Sequence, residues 1–144
     1  MNYPFYQVDV FTNTPFTGNP LAVFFDVEEL SSQTMHSIAQ EMNLSETIFV
    51  FPPGDLPVDF SVRIFTPEKE IPFAGHPTIG TAHILRETGK VSSGNHSIKL
   101  SMKAGIITVT QGLIDNILFM DQPLPEYLSV LDCAEKIGQV LSIP

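Results

Sequence analysis

A strand that runs through Phe65-Thr-Pro-Glu-Lys-Glu-Ile-Pro-Phe-Ala-Gly-His-Pro77 into a helix with apolar or small residues on nearly every side leaves few folds open. The strand alternates over residues 58–66, with Val58, Phe60, Val62 and Ile64 on one face and Asp59, Ser61 and Arg63 on the other. Two prolines turn the chain, and the pattern predicts a helix over 76–88 that stops at Gly89. Pro77 suits the first helical position, where a missing N–H costs nothing. Ile79, Gly80, Ala82, Ile84 and Leu85 surround the helix, so it is expected to be enclosed, its small residues letting strands pack close.

The rest of the chain reads as strands at about 3–11, 21–25, 46–51, 97–102, 106–111 and 117–120. A helix over 32–42 is capped by Ser31 and stopped by Asn43, with Met35, Ile38, Ala39 and Met42 on one face. A final amphipathic helix covers 129–141, with Val130, Ala134, Ile137 and Leu141 on its stripe, and Asp115-Asn116 suggests a turn. Residues 12–20, rich in Thr, Asn, Pro and Gly, read as a loop. Many strands around few helices give the α+β class. At 144 residues this is about one domain.

Composition excludes several functions. A net charge of -9 opposes nucleic acid, whose phosphates such a surface repels. The apolar residues fall in short runs, so no membrane span is expected. The single cysteine, Cys133, cannot form an internal disulfide; it fits a reducing, cytoplasmic setting and is expected to pack within the last helix. His36, His76, His83 and His96 lack partners at ligand spacing, and no zinc site is expected.

Three places could hold chemistry. Gly75 and His76 open the enclosed helix, where free N–H groups and the positive dipole end suit a carboxylate or a developing oxyanion. His76 adds a titratable donor, though a histidine beside proline can equally bond locally. Glu46, in Asn43-Leu-Ser-Glu-Thr-Ile-Phe-Val50, stands where a helix gives way to an apolar strand. A rigid, partly desolvated carboxylate there suits acid/base work, and an exposed strand-end glutamate is the competing reading. Asn19, at the tip of Thr17-Gly-Asn-Pro20, either meets a ligand or simply makes a turn. Asp9, mid-strand among apolar residues, reads as a structural hydrogen-bond acceptor.

Taken together, Val8-Asp-Val-Phe-Thr12, Phe16-Thr-Gly-Asn-Pro-Leu-Ala-Val23, Asn43-Leu-Ser-Glu-Thr47 and Phe65-Thr-Pro…Pro72-Phe-Ala-Gly-His-Pro-Thr-Ile-Gly80 resemble the PhzF family, phenazine biosynthesis-like isomerases of the diaminopimelate epimerase fold. Asp121-Gln-Pro also looks like the family's strand exit. The resemblance covers essentially the whole chain. It implies one lobe of a two-lobed fold, a curved mixed sheet wrapped around a central helix. It also implies an active site between lobes that works without metal or organic cofactor on a small carboxylate substrate. Glu46 matches the catalytic glutamate, Gly75 and His76 the substrate-holding turn, and Asn19 a polar substrate contact. Ala74 stands where related epimerases carry a cysteine, which excludes two-thiol racemisation.

The same resemblance makes residues 1–144 the N-terminal lobe, with the second lobe and its acidic motif absent from this chain. The ending just after a helix reads as a cut. Three functions follow as expectations. The first is an isomerase lobe that is inactive until completed by its missing half. The second is a non-catalytic ligand-binding or interaction module. The third is an enzyme of two copies face to face. The apolar cleft face is expected to favour self-association, making a homo-oligomer.

Overall fold

A computed structural model of the chain describes residues 2–92, 94–112, 117–122, 124–125 and 133–142. β1 (Phe5–Val10) and β2 (Asn19–Phe24) pair antiparallel, and α1 (Ser32–Met42) leads to β3 (Thr47–Phe51), parallel to β2. β4 (Phe60–Phe65) returns antiparallel to β3 and also pairs with the short β5 (Glu70–Ile71). After α2 (Gly75–Glu87), β6 (Ser97–Met102) lies parallel to β4. β7 (Gly105–Gln111) and β8 (Leu118–Met120) follow as antiparallel neighbours, and α3 spans Ala134–Leu141.

The strands form one mixed sheet in the order β1-β2-β3-β4-β6-β7-β8, with β5 beside β4. α2 touches β1, β2 and β3 and also β7 and β8. Contact with both ends of the strand order requires the sheet to curl around the helix. This is the α+β lobe with a curved mixed sheet and a central helix that the sequence led us to expect.

Both faces of the sheet's middle are covered. Leu21 and Val23 of β2, Ile48 and Val50 of β3, and Val62 and Ile64 of β4 join Ala82, Ile84 and Leu85 of α2 in the inner core. Their neighbours Ala22, Phe24, Phe49 and Phe65 point the other way, onto Met35 and Ala39 of α1. Strands buried on both sides carry near-continuous apolar runs, which is why 21–25 and 48–51 hardly alternate. Each fully buried Leu or Ile contributes roughly 1.5–3 kcal/mol. Gly80 allows the helix this close: a Cβ there would lie 2.6 Å from Leu21 Cδ2 and 2.7 Å from Val10 Cγ2.

Local signals held where the partner was local. The Ser31 hydroxyl accepts from Thr34 N at 3.1 Å, and Asn43 ends α1 with φ 51°. Gly89, with φ 68°, follows α2. Asp9 is the acceptor it was read to be, taking the Phe16 N–H at 2.6 Å.

Three expectations are corrected. Asn19 and Pro20 lie inside β2, not in a loop, because they pair with Val10 and Asp9. Pro20 is tolerated because the β2–β3 register starts only at Ala22. β5 was not foreseen; the Arg63 guanidinium pins it by two 2.8 Å bonds to Glu70, which Lys103 also meets at 2.7 Å. Cys133 stands at the N-cap of α3, outside the helix proper, and Ile137 and Leu141 of the expected stripe are exposed. Residues 129–132, the Asp115-Asn116 turn and Pro123 lie outside the described residues.

Candidate active site

Glu46 is the last residue before β3, and His76 is the second residue of α2. Their elements meet because β3 packs on α2 inside the curl. His76 Nε2 and Glu46 Oε2 face each other at 3.4 Å, with side chains 10% and 18% exposed. Both atoms are buried and have no hydrogen-bond partner. A good N–H···O bond is shorter, about 2.7–3.2 Å. The pair is therefore aligned but loose, with spare donor and acceptor capacity for a third group. Catalytic hydrogen bonds commonly tighten only with substrate in place.

The electrostatics decide the charge of the ring. Burial pushes the His76 proton affinity below the ordinary histidine value, and the nearby Glu46 and the Pro20 backbone oppose this more weakly. At neutral pH the ring is therefore neutral, and its contact with Glu46 is that of a dipole with a carboxylate. His76 can donate one ring proton without carrying charge.

Asn19 completes the cluster from β2. Its Nδ2 lies 3.2 Å from His76 Nδ1, and the Ser45 hydroxyl donates to its Oδ1 at 3.4 Å. The register that brings Asn19 opposite Val10 at the β2 start also directs it toward the α2 entrance. Gly75 stands at that entrance, and no side chain caps the helix there. A Cβ on Gly75 would meet only Met120 Cε, at 3.7 Å, so the protein's own packing does not demand glycine. Pro77 offers no N–H, which leaves the Gly75 and His76 amides as the leading donors of the helix start.

The four candidate residues of the sequence reading thus lie at one place. His76 meets Glu46 at one ring nitrogen and Asn19 at the other, and Gly75 adjoins it at the helix start. Ser45 was passed over although it lies within a quoted motif; its only signal was adjacency to Glu46. A cleft of about 360 Å³ opens elsewhere, between β1 and α2, lined by Asp9, Ile79, Gly80, His83 and Leu118 among others. Neither Glu46 nor His76 lines it, so the chemistry is assigned from the buried unpartnered pair and not from the concavity. Among the described residues, no group of three or more His, Cys, Asp or Glu could hold a metal ion. No described helix is long and apolar enough to cross a membrane.

Comparison with known proteins is consistent with this geometry. The pattern of the phenazine biosynthesis-like protein family matches residues 8–137. The chain is 42% identical to antisense-enhancing sequence 1 of Schizosaccharomyces pombe, covering 99% of this chain and 49% of that protein. It is 41% identical to the trans-2,3-dihydro-3-hydroxyanthranilate isomerase of Pseudomonas chlororaphis, over 85% of this chain and 44% of that enzyme. Among solved structures it is similar to a Bacillus anthracis phenazine biosynthesis protein of the PhzF family, with TM-score 0.73 and 33% identity over 83% of this chain and 40% of the other. A hydroxyproline epimerase from Agrobacterium vitis shares the fold at TM-score 0.59 and 14% identity, over 79% of this chain and 38% of the other. The chain spans about half the length of the curated relatives it matches.

Proposed function

The chain belongs to the phenazine biosynthesis-like protein family, and on that premise we propose that it is one lobe of a cofactor-independent isomerase acting on a small carboxylated metabolite. Glu46 is its acid/base. The carboxylate takes a proton from one substrate carbon, the electron pair moves along the conjugated skeleton, and the protonated carboxyl, whose proton exchanges with solvent, delivers a proton to another carbon. No electrons are gained or lost overall. His76, neutral and donating, steadies the charge that develops, and the substrate carboxylate meets the Gly75 and His76 amides and the dipole end of α2. Asn19 contributes a polar contact at the same entrance.

The observation that carries this reading is the buried, unpartnered pair Glu46 Oε2 and His76 Nε2, 3.4 Å apart at the helix entrance. Isomerase chemistry is supported by the relatives named trans-2,3-dihydro-3-hydroxyanthranilate isomerase. Those enzymes are about twice as long as this chain, so a second lobe or a second copy is proposed to close the site and to add a second acidic group. Phe11, Phe16, Phe119 and Leu124 are exposed apolar groups that would favour such association. The single cysteine and the acidic surface suit a cytoplasmic enzyme.

Solvent deuterium incorporation into a dihydro-hydroxyanthranilate-type substrate tests the proposal. The 144-residue chain alone is expected to be inactive, and the chain joined to a family second lobe is expected to exchange. Robust exchange by a verified monomer would overturn the need for completion. Exchange that survives Glu46→Gln in the joined form would overturn the role of Glu46.

A further inference from the structure

The polar entrance of α2 faces an apolar side chain from the far end of the sheet. Gly75 is the first residue of α2, and in a helix every Cα–Cβ direction leans back toward the N-terminus. A side chain at Gly75 would therefore project into the space from which a ligand reaches the Gly75 and His76 amides. The atom that borders this direction is Met120 Cε, 3.7 Å from the Cβ position. Met120 ends β8 and pairs with Val109 of β7, which is fully buried, so both sit on the inner face of the curl. Phe119, one residue earlier, points outward and is 62% exposed. Met120 itself is half-buried and packs on the inner core, so its stem is anchored while its methyl end stands at the entrance. That end carries no donor, and its thioether is at best a weak acceptor.

We infer that Met120 is a specificity-determining residue: an acid held by its carboxylate on the Gly75 and His76 amides lays the adjoining group against the Met120 methyl. An apolar group gains burial there. An ammonium or hydroxyl in the same place loses water and finds no hydrogen-bond partner on that side, which costs binding. The unbranched, polarisable side chain can shift to fit groups of different width, so this wall selects by polarity more than by exact shape. The selection acts beside the Glu46–His76 pair and leaves the proton chemistry to that pair. This deepens the isomerase reading and rests on it for its catalytic meaning, whereas the binding preference stands without turnover. The competing role is plain packing, in which Met120 fills the end of the inner core and never meets a ligand.

Acetate and benzoate, two carboxylates that differ in the attached group, separate the two roles when titrated into the 144-residue chain. The chain carries ¹⁵N throughout and ¹³C in the methyls of its five methionines, and Met120→Leu identifies the Met120 signal. Benzoate is expected to move the amide signals of residues 75–78 and to shift the Met120 methyl upfield by its ring current. Acetate should move the amides alone. Met120→Gln keeps the length of the side chain and makes its end polar. It should weaken benzoate about tenfold while acetate binds as before, and the apolar Met120→Leu should keep most of the preference. In the form joined to a second lobe, Met120→Gln should raise KM more than it lowers kcat. Plain packing would instead lower the urea midpoint and leave the preference for benzoate unchanged. Benzoate that moves the 75–78 amides without the Met120 methyl overturns the inference, and so does benzoate that moves neither. The wild-type methyl decides this even if the Gln variant fails to fold. A methyl that responds as expected, with no deuterium exchange by the joined wild-type form, would sink only the isomerase reading.

Discussion

Glu46 Oε2 and His76 Nε2 lie 3.4 Å apart, both buried, and neither has another hydrogen-bond partner. Thirty residues of chain separate them, and the curl of the sheet around α2 closes that distance. Two buried polar groups without partners cost stability unless something else uses them. A substrate group between or beside them would recover the missing hydrogen bonds.

Replacing Glu46 by Gln keeps the shape of the side chain and removes the proton carrier. In a form completed by a second lobe, Glu46→Gln is expected to lower the rate of deuterium exchange by about 10²–10⁴. The circular dichroism of the variant should match the wild type. A variant with undiminished exchange would remove Glu46 from the chemistry.

Gly75 and Gly80 should behave in opposite ways. A Cβ on Gly80 runs into Leu21 and Val10 at 2.6 and 2.7 Å, and both side chains are buried in the core. Gly80→Val is expected to cost about 1–3 kcal/mol by overpacking, read as a lower urea midpoint. A Cβ on Gly75 meets only Met120, at an ordinary 3.7 Å. Gly75→Ala should leave the urea midpoint nearly unchanged while weakening a carboxylate ligand's effect on the amide signals of residues 75–78. Equal destabilisation by the two changes would contradict this packing.

Stability should fall as the solution is acidified past the ordinary histidine range, and His76 is one cause. Burial lowers its proton affinity in the folded chain. The unfolded chain therefore binds the proton first, at pH about 6.5. Where the unfolded state holds more protons, stability rises with pH, so this contribution is intact above that value. It is lost as pH falls toward the lower folded value. Urea unfolding at pH 8 and pH 5.5 should show a smaller loss for His76→Gln than for the wild type. An identical loss would show that His76 does not titrate differently on folding.

A second acid-sensitive point lies at the short pairing of β5 with β4. Hydrogen bonds from Arg63, and then Lys103, hold the Glu70 carboxyl at about 2, well below the ordinary carboxylate range. Its stabilisation is present above pH about 4.5 and disappears as pH drops through about 2. Glu70→Gln should cost on the order of 1–3 kcal/mol at neutral pH, reduced by whatever solvent reaches the pair. Hydrogen exchange at 70–71 should quicken first. No change there would mean that β5 is held by its backbone pairing alone.

Much of this protein was legible before any coordinates. The α1 limits, its Ser31 cap and its Asn43 stop came from bonds between residues at most four apart, which the sequence states directly. The enclosure of α2 was readable because a helix apolar on all sides has no face left for water. Glu46, His76, Gly75 and Asn19 were found as residue types in a family pattern, and the pattern located them without saying how they meet.

What the sequence left undecided depends on partners distant in the chain. β5 exists because Arg63, seven residues earlier, and Lys103, more than thirty later, converge on Glu70. Asn19 and Pro20 became strand because Val10 and Asp9 lie opposite, a register that local turn chemistry cannot reveal. The charge of His76 is likewise a tertiary property, since burial by the surrounding fold outweighs the attraction of Glu46. Local bonds fixed the elements; only the curling of the sheet around α2 decided which polar groups share a dry space, and hence which of them can exchange a proton.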